Sequence, residues 1–212
     1  MIKIRNLNKI YKQFGDFSIK CAELDISKGD IIGIYGGVGS GKTLLTKILS
    51  GIHKKYDGQI EYGMVSLESY QKKLLSYIPS TNVLYDGLTL NDHIKFLASE
   101  FKINNNEINA KISWFDQYFK INSDLRRKIF SFSTGELQFI KLFLSLLHSP
   151  SILIIDELFT GLGSGDIDII KSIFTVLSER EVTIIFTSSH LQYIKELTIK
   201  ENLHIKDGSL DT

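Results

Sequence analysis

The sequence predicts an α/β fold: a mostly parallel sheet with helices on both faces, an N-terminal antiparallel β section and an inserted helical stretch. Short buried apolar strands alternate with helical segments in the first and last thirds, the pattern of a parallel sheet. Between them, from about Leu90 to His148, the periodicity turns helical.

Taken in order, Met1 to Arg5 and Phe17 to Ile26 alternate with period two, and Asp30-Ile31-Ile32-Gly33-Ile34-Tyr35 reads as a buried strand. Lys42 to Ser50 has helical spacing, with Gly51 placed to stop it. Gln59 to Tyr62 and Leu75 to Ile78 are further short strands. In the middle, Asn91 is placed to cap a helix through Leu97 and Asn106 one running to about Phe119; Gly135 to His148 forms a third with an apolar face. Strands resume with Ser151 to Ile155, then a helix over Asp166 to Leu177, a strand over Val182 to Thr187, a short helix over Leu191 to Leu197 and a hairpin turning on Asp207-Gly208. Residues 1–89 and 151–212 are expected to form one core lobe, with about 90–150 as a helical lobe of the same domain.

Composition narrows the function classes. With 212 residues, 43% of them apolar and 23% charged, the chain can bury one well-filled core. A net charge of +1 supplies no field for nucleic acid, so no nucleic-acid partner is expected. A single cysteine, Cys21, cannot close an internal disulfide. The N-terminus leads into charges unlike a signal peptide, and no apolar run approaches a membrane span. A cytoplasmic chain is expected, with any membrane role supplied by a partner.

The loop Gly36-Gly37-Val38-Gly39-Ser40-Gly41-Lys42-Thr43 follows a buried strand and opens a helix, the context a phosphate-binding loop requires. Its glycines let successive N–H groups point inward at phosphate oxygens, and the helix N-terminus adds partial positive charge. Lys42 is placed to reach the β- and γ-phosphates, and the Thr43 hydroxyl to ligate Mg²⁺. A P-loop NTPase core follows, since a glycine-rich turn without ligand would not need loop, strand and helix to agree. Asp156 and Glu157 end the apolar strand Ile152-Leu153-Ile154-Ile155; the first suits the Mg²⁺ site and the second can orient or deprotonate water. His190 follows the strand ending at Thr187, where it serves either as a helix-start residue or as a partner for a γ-phosphate or attacking water.

Phe132-Ser133-Thr134-Gly135-Glu136, just ahead of an apolar helix, makes the chain resemble the ATP-binding subunits of ABC transporters, whose signature is a Leu-Ser-Gly-Gly-Gln-like pentapeptide. Around it, Tyr11 looks like the family's A-loop aromatic that stacks on adenine, and Tyr77-Ile78-Pro79 matches the run before its Q-loop. Ser151 to Glu157 looks like the Walker B strand with the catalytic glutamate. Thr160-Gly161-Leu162 resembles the D-loop, His190 the switch histidine, and Ile205 to Leu210 the closing hairpin. The resemblance implies ATP and Mg²⁺ as ligands, with Lys42, Glu157 and His190 in hydrolysis. It also implies a head-to-tail pair of subunits in which Ser133, Gly135 and Glu136 of one meet the ATP on the phosphate loop of the other. The partners so implied are a transmembrane permease and a second ATP-binding subunit, identical or different, on the cytoplasmic face of the membrane.

Four positions depart from the family pattern. Ser80 stands at the Q-loop glutamine, Thr134 at the first signature glycine, Leu158 at the proline after the glutamate, and Gly163 at the D-loop aspartate. The expected function is ATP hydrolysis powering a membrane transporter by ATP-driven dimerisation, of exporter-like type because the chain ends at the core hairpin. One alternative is a regulatory or degenerate ATP-binding partner of low turnover. Another is a non-transport ATPase of the same superfamily, which generally carries coiled-coil arms or two cassettes; no sustained heptad run and only one phosphate loop occur here. A GTPase would need an Asn-Lys-x-Asp guanine reader, and none occurs.

Overall fold

The computed structural model describes residues 1–12, 17–63, 65–66, 74–198 and 200–211. Its strands are β1 (Ile2–Tyr11), β2 (Phe17–Ile26), β3 (Ile31–Tyr35), β4 (Asp57–Tyr62), β5 (Val65–Ser66), β6 (Leu75–Ile78), β7 (Ile152–Ile155), β8 (Thr183–Ser188), β9 (Glu201–Lys206) and β10 (Ser209–Asp211). They form one sheet in the order β5-β4-β1-β2-β10-β9-β3-β8-β7-β6. β6, β7, β8, β3 and β9 run parallel, whereas β1, β2, β4 and β5 pair antiparallel. The predicted α/β class, with its antiparallel N-terminal section, is the observed one.

The parallel strands are buried on both faces, and their pleat sorts the apolar residues into two layers. Leu153, Ile155, Ile184, Phe186 and Ile31 point to one layer, whereas Ile152, Ile154, Ile185, Ile32 and Ile34 point to the other. The second layer is closed by α1 (Lys42–Leu49) and the β1–β2 ribbon. The first is closed by α2 (Leu90–Phe101), α3 (Asn105–Phe115), α4 (Ile121–Asp124), α5 (Thr134–Leu146), α6 (Ser164–Glu179) and α7 (Leu191–Leu197). Leu90, Ile94, Phe115, Phe139 and Phe143 of the helical stretch belong to the same buried cluster as Ile155, Phe174 and Phe186. The helices over 90–146 therefore share a continuous core with the sheet.

Several boundaries differ from the sequence-based expectation, each for a local reason. β1 runs on to Tyr11 instead of ending near Arg5, because its register against β4 shifts between Arg5 and Asn8 and Asn6 turns to φ 50. That bulge re-phases the buried positions from Ile2 and Ile4 to Leu7, which hides the strand from a strict period of two. Helix α2 is capped by Thr89, not Asn91: the Thr89 hydroxyl accepts the Asp92 N–H at 3.1 Å, and the Asp92 carboxylate accepts the Thr89 N–H at 2.9 Å. Asn104 and Glu107 make the same reciprocal box at α3, displacing Asn106. An acid three residues on decides both starts. α3 stops at Phe115 instead of near Phe119, and α6 starts at Ser164, ahead of Asp166.

Phe174 lies in the middle of the first layer, 1% exposed, with its ring 5.7 Å from that of Phe186. Phe174→Ala is expected to cost about 3–5 kcal/mol and to lower the melting temperature by about 10 °C, read by calorimetry.

Candidate functional site

The parallel strands bring their carboxyl ends to one edge, and the phosphate loop leaves β3 there. Gly36 admits no side chain, since a Cβ would stand 2.4 Å from the Ile205 carbonyl and 2.5 Å from Ser40 Oγ. Gly41 closes the loop at φ 107, a conformation costly for any residue with a side chain. Helices α2, α3 and α5 all begin with a capping side chain, but α1 begins at Gly41 with none. The N–H groups of its first turn, which no intrahelical carbonyl can accept, thus stay available to an anion.

Lys42 is 6% exposed and donates to the Gly36 and Gly37 carbonyls at 2.8 and 3.0 Å. Its ammonium also lies 3.2 Å from Glu157 Oε1. Asp156, only 1% exposed, receives Thr43 Oγ1–H on Oδ2 at 2.8 Å and Thr187 Oγ1–H on Oδ1 at 3.0 Å. Thr187 Oγ1 in turn accepts the Glu157 N–H at 3.1 Å, which steadies Glu157 in its left-handed conformation at φ 55. Ser189 grips the Glu157 carboxylate twice, through its hydroxyl at 2.7 Å and its N–H at 3.2 Å. Lys42, Thr43, Glu157 and Ser189, with Phe17, Val38, Gly39 and Gly41, line a cavity of about 410 Å³.

The oxygens of Thr43 and Asp156 are a hard pair suited to Mg²⁺. No cluster of three or more His, Cys, Asp or Glu side chains occurs among the described residues. Thr43 and Asp156 would hold a magnesium ion here, with phosphate and water as its other ligands, the usual mode at nucleotide sites.

The structure brings Lys42, Thr43, Asp156 and Glu157 together at the phosphate loop, and places Tyr11, Ser80, His190 and the segment 133–136 outside the cavity there. Tyr11 is 6% exposed and bonds His53 Nδ1 through its hydroxyl at 2.7 Å; burial pushes its pKa up to about 12. The aromatic residue on the phosphate cavity is instead Phe17, its cross-strand partner. Ser80 is exposed, two residues beyond β6, and His190 is exposed at the start of α7 with its ring 5.7 Å from Tyr193. Neither lines the cavity.

Ser133, Gly135 and Glu136 form the N-terminus of α5, likewise outside that cavity. Ser133 Oγ accepts the Glu136 N–H at 3.2 Å, and Glu136 accepts the Ser133 N–H at 2.7 Å. The Arg127 guanidinium, 2.9 Å from Glu136 Oε1, holds the Glu136 carboxyl below its usual pKa. Thr134 is the first helical residue, a conformation open to β-branched side chains, so it needs no glycine there. Gly135, by contrast, packs on Gly161: a Cβ on Gly135 would lie 2.6 Å from the Gly161 carbonyl. Gly163 starts α6 by donating its N–H to Asp166 at 2.8 Å, and Leu158 is fully buried.

Sequence reasoning missed Phe17, Thr187 and Ser189. The available signals were an aromatic at the start of the strand opposite Tyr11 and a hydroxyl run, Thr187-Ser188-Ser189, closing a buried strand.

Residues 19–160 match the family model described as ABC transporter. The ABC transporter ATP-binding protein MJ1023 of Methanocaldococcus jannaschii is 30% identical over 197 residues, covering 92% of this chain and 71% of that protein. YhaQ of Bacillus subtilis, an ABC transporter ATP-binding protein, is 26% identical over 200 residues, covering 94% and 66%. The molybdate/tungstate import ATP-binding protein WtpC of Pyrococcus abyssi is 29% identical over 201 residues, covering 94% and 57%. The chain thus spans less than two thirds of the length of YhaQ and WtpC. A solved structure of an ATP-binding subunit of an ABC transporter shares the fold at a TM-score of 0.88 and 20% identity, covering 100% of this chain and 88% of that one. With an uncapped phosphate loop facing two carboxylates, and a family model matched over most of its length, this chain belongs to the ABC transporter family as an ATP-binding subunit.

Proposed function

We propose that this chain hydrolyses ATP and that it powers a membrane permease by closing and opening against a second ATP-binding subunit. The observation that carries this reading is the convergence of Lys42, Thr43 and Glu157 on one cavity beside an uncapped helix, with Asp156 hydrogen-bonded to Thr43 just behind it. The loop amides and Lys42 bind the triphosphate, and Thr43 and Asp156 hold Mg²⁺. That ion, when bound, neutralises charge on the β- and γ-phosphates. An incoming phosphate competes with Glu157 for the Lys42 ammonium. Glu157 so released accepts a proton from the attacking water, while Ser189 keeps its carboxylate aimed and His190 stands one residue beyond. The base of the nucleotide rests against the aromatic end of the β1–β2 ribbon, where Phe17 presents the ring and Tyr11 supports it from across the strands.

The placement of three groups supports a second subunit. Ser133 and Thr134 are exposed and lie outside the cavity of their own chain, and Val38 at the tip of the phosphate loop is 97% exposed. The α5 N-terminus of another copy, or of a related chain, completes the γ-phosphate site with Ser133 Oγ, the Gly135 N–H and the helix dipole. None of the helices described is long and apolar enough to cross a membrane. In this reading the permease is a separate or further element, and the chain works at the cytoplasmic face. Direction of transport belongs to that partner. A relative named for import matches as well as relatives named only as ATP-binding proteins, and the exporter-like expectation gains nothing from this chain's own residues.

Phosphate release from Mg-ATP by the chain with its partner tests the reading; no turnover above background would sink it. Glu157→Gln is expected to lower kcat by about 10²–10⁴ while nucleotide binding persists, the usual loss for a general base. Thr187→Val, which removes one hydrogen bond from each carboxylate residue, is expected to lower kcat about 10–100-fold with the fold intact by circular dichroism. In a fluorescent-nucleotide titration, Phe17→Ala is expected to weaken binding about 5–100-fold, the range for losing one stacking ring, and Tyr11→Phe to change it less than threefold.

A further inference from the structure

A cavity of about 760 Å³, larger than the one beside the phosphate loop, lies at the opposite edge of the sheet, where β7 and β8 begin at Ile152 and Thr183. Its volume and mixed walls are those of a small-molecule site. Trp114, Leu146, Leu177 and Val182 supply apolar surface, and five charged side chains stand among them: Lys28, Glu107, Lys111, Arg180 and Glu181. Glu107, Lys111 and Trp114 share one face of α3 by their helical spacing. Both acids are already engaged. Glu107 accepts the Asn104 N–H at 3.3 Å in the cap of α3, and Glu181 lies 3.9 Å from the Lys28 ammonium. Lys111 and Arg180 differ, since among the described residues neither pairs with a carboxylate. The Lys111 ammonium donates to the Leu146 carbonyl at 3.1 Å and to Ser149 Oγ at 2.6 Å, which occupies two of its three N–H groups. The Arg180 guanidinium lies over the Trp114 ring, 5.3 Å from its centroid. Burial first and then the Arg180 charge lower the Lys111 pKa, and Glu107 offsets that only in part.

Two cations thus face one cavity without a shared anion, and an anion between them would relieve their repulsion. The α5 carbonyl end, which would repel such a charge, is covered at Leu146 by Lys111 itself. A bare inorganic ion gains little here, because the Arg180 side is open to water and screened. The apolar walls must supply the rest of the binding, and Trp114 offers a flat surface for it. We propose that this cavity binds a small organic anion of the aromatic carboxylate class, its carboxylate between Lys111 and Arg180 and its ring against Trp114 and Leu177. The carboxylate takes the remaining N–H of Lys111 and the free edge of the Arg180 fork. The site stands at the far ends of the strands that carry Asp156 and Thr187, and it is independent of whether the chain hydrolyses ATP.

Trp114 is the chain's only tryptophan, so its indole N–H gives a single NMR resonance that reports on this cavity. Titration of the full chain with naphthoate is expected to shift that resonance saturably. Naphthamide, which keeps the ring and lacks the charge, and acetate, which keeps the charge and lacks the ring, should each bind at least about tenfold more weakly. Arg180→Gln, at an exposed position, and Lys111→Met should each weaken naphthoate about tenfold while Mg-ATP binding stays as in the parent chain. The far-ultraviolet circular dichroism of both variants should match the parent, which separates loss of the site from loss of the fold. No saturable shift with naphthoate, equal binding of naphthamide, or undiminished binding in folded Arg180→Gln and Lys111→Met would each overturn the proposal. Acetate binding as tightly as naphthoate would overturn it too, leaving only a surface charge pair.

Discussion

The site depends on how one buried carboxylate is satisfied. Asp156 is almost wholly removed from water, and an ionised group there is tolerable only with its oxygens hydrogen-bonded. Thr43 at the start of α1 and Thr187 near the end of β8 supply those bonds, while the Asp156 N–H donates to the Ile78 carbonyl at the end of β6. One residue thus ties the phosphate-loop helix to three neighbouring strands. Glu157 inherits its place from that arrangement, because Thr187 holds its N–H and Ser189 its carboxylate.

The second constraint is the treatment of helix starts. Where α2, α3 and α5 meet solvent, side chains take up their first N–H groups; at α1 a glycine leaves them open. An uncapped helix is a cost in the empty chain that an anion offsets. The α5 start is organised for a different purpose. Arg127 links Asp124, Glu136 and the Ser131 carbonyl and lies 3.9 Å above the Phe132 ring, which fixes the segment before Ser133. A capped start outside the cavity and an open start facing it thus occur in one chain.

The departures from the family pattern separate along the same line. Thr134 and Leu158 are absorbed by the fold, one as an ordinary helical residue and the other as core. Gly163 keeps its helix start by using Asp166 from the next turn. Ser80 remains exposed at the surface beyond β6. None of the four changes falls on Lys42, Thr43, Asp156, Glu157, Thr187 or Ser189.

Much of the fold was legible in the sequence because its information is local. The buried strands 31–35, 152–155 and 183–188 are short apolar runs, and the phosphate loop and Asp156-Glu157 are contiguous motifs whose chemistry follows from residue type and order. The start of α2 was misplaced because both Thr89 and Asn91 can cap, and only the acid at Asp92 distinguishes them. β1 was cut short because a bulge breaks the period on which strand reading relies. Tertiary structure alone decided what meets across distance. It put Phe17 in place of Tyr11 at the cavity and joined Thr187 and Ser189 to carboxylate residues some 30 positions away. Residue order determined which groups can do the chemistry. Which of them touch was set by packing two apolar layers on one sheet, a property no single segment carries.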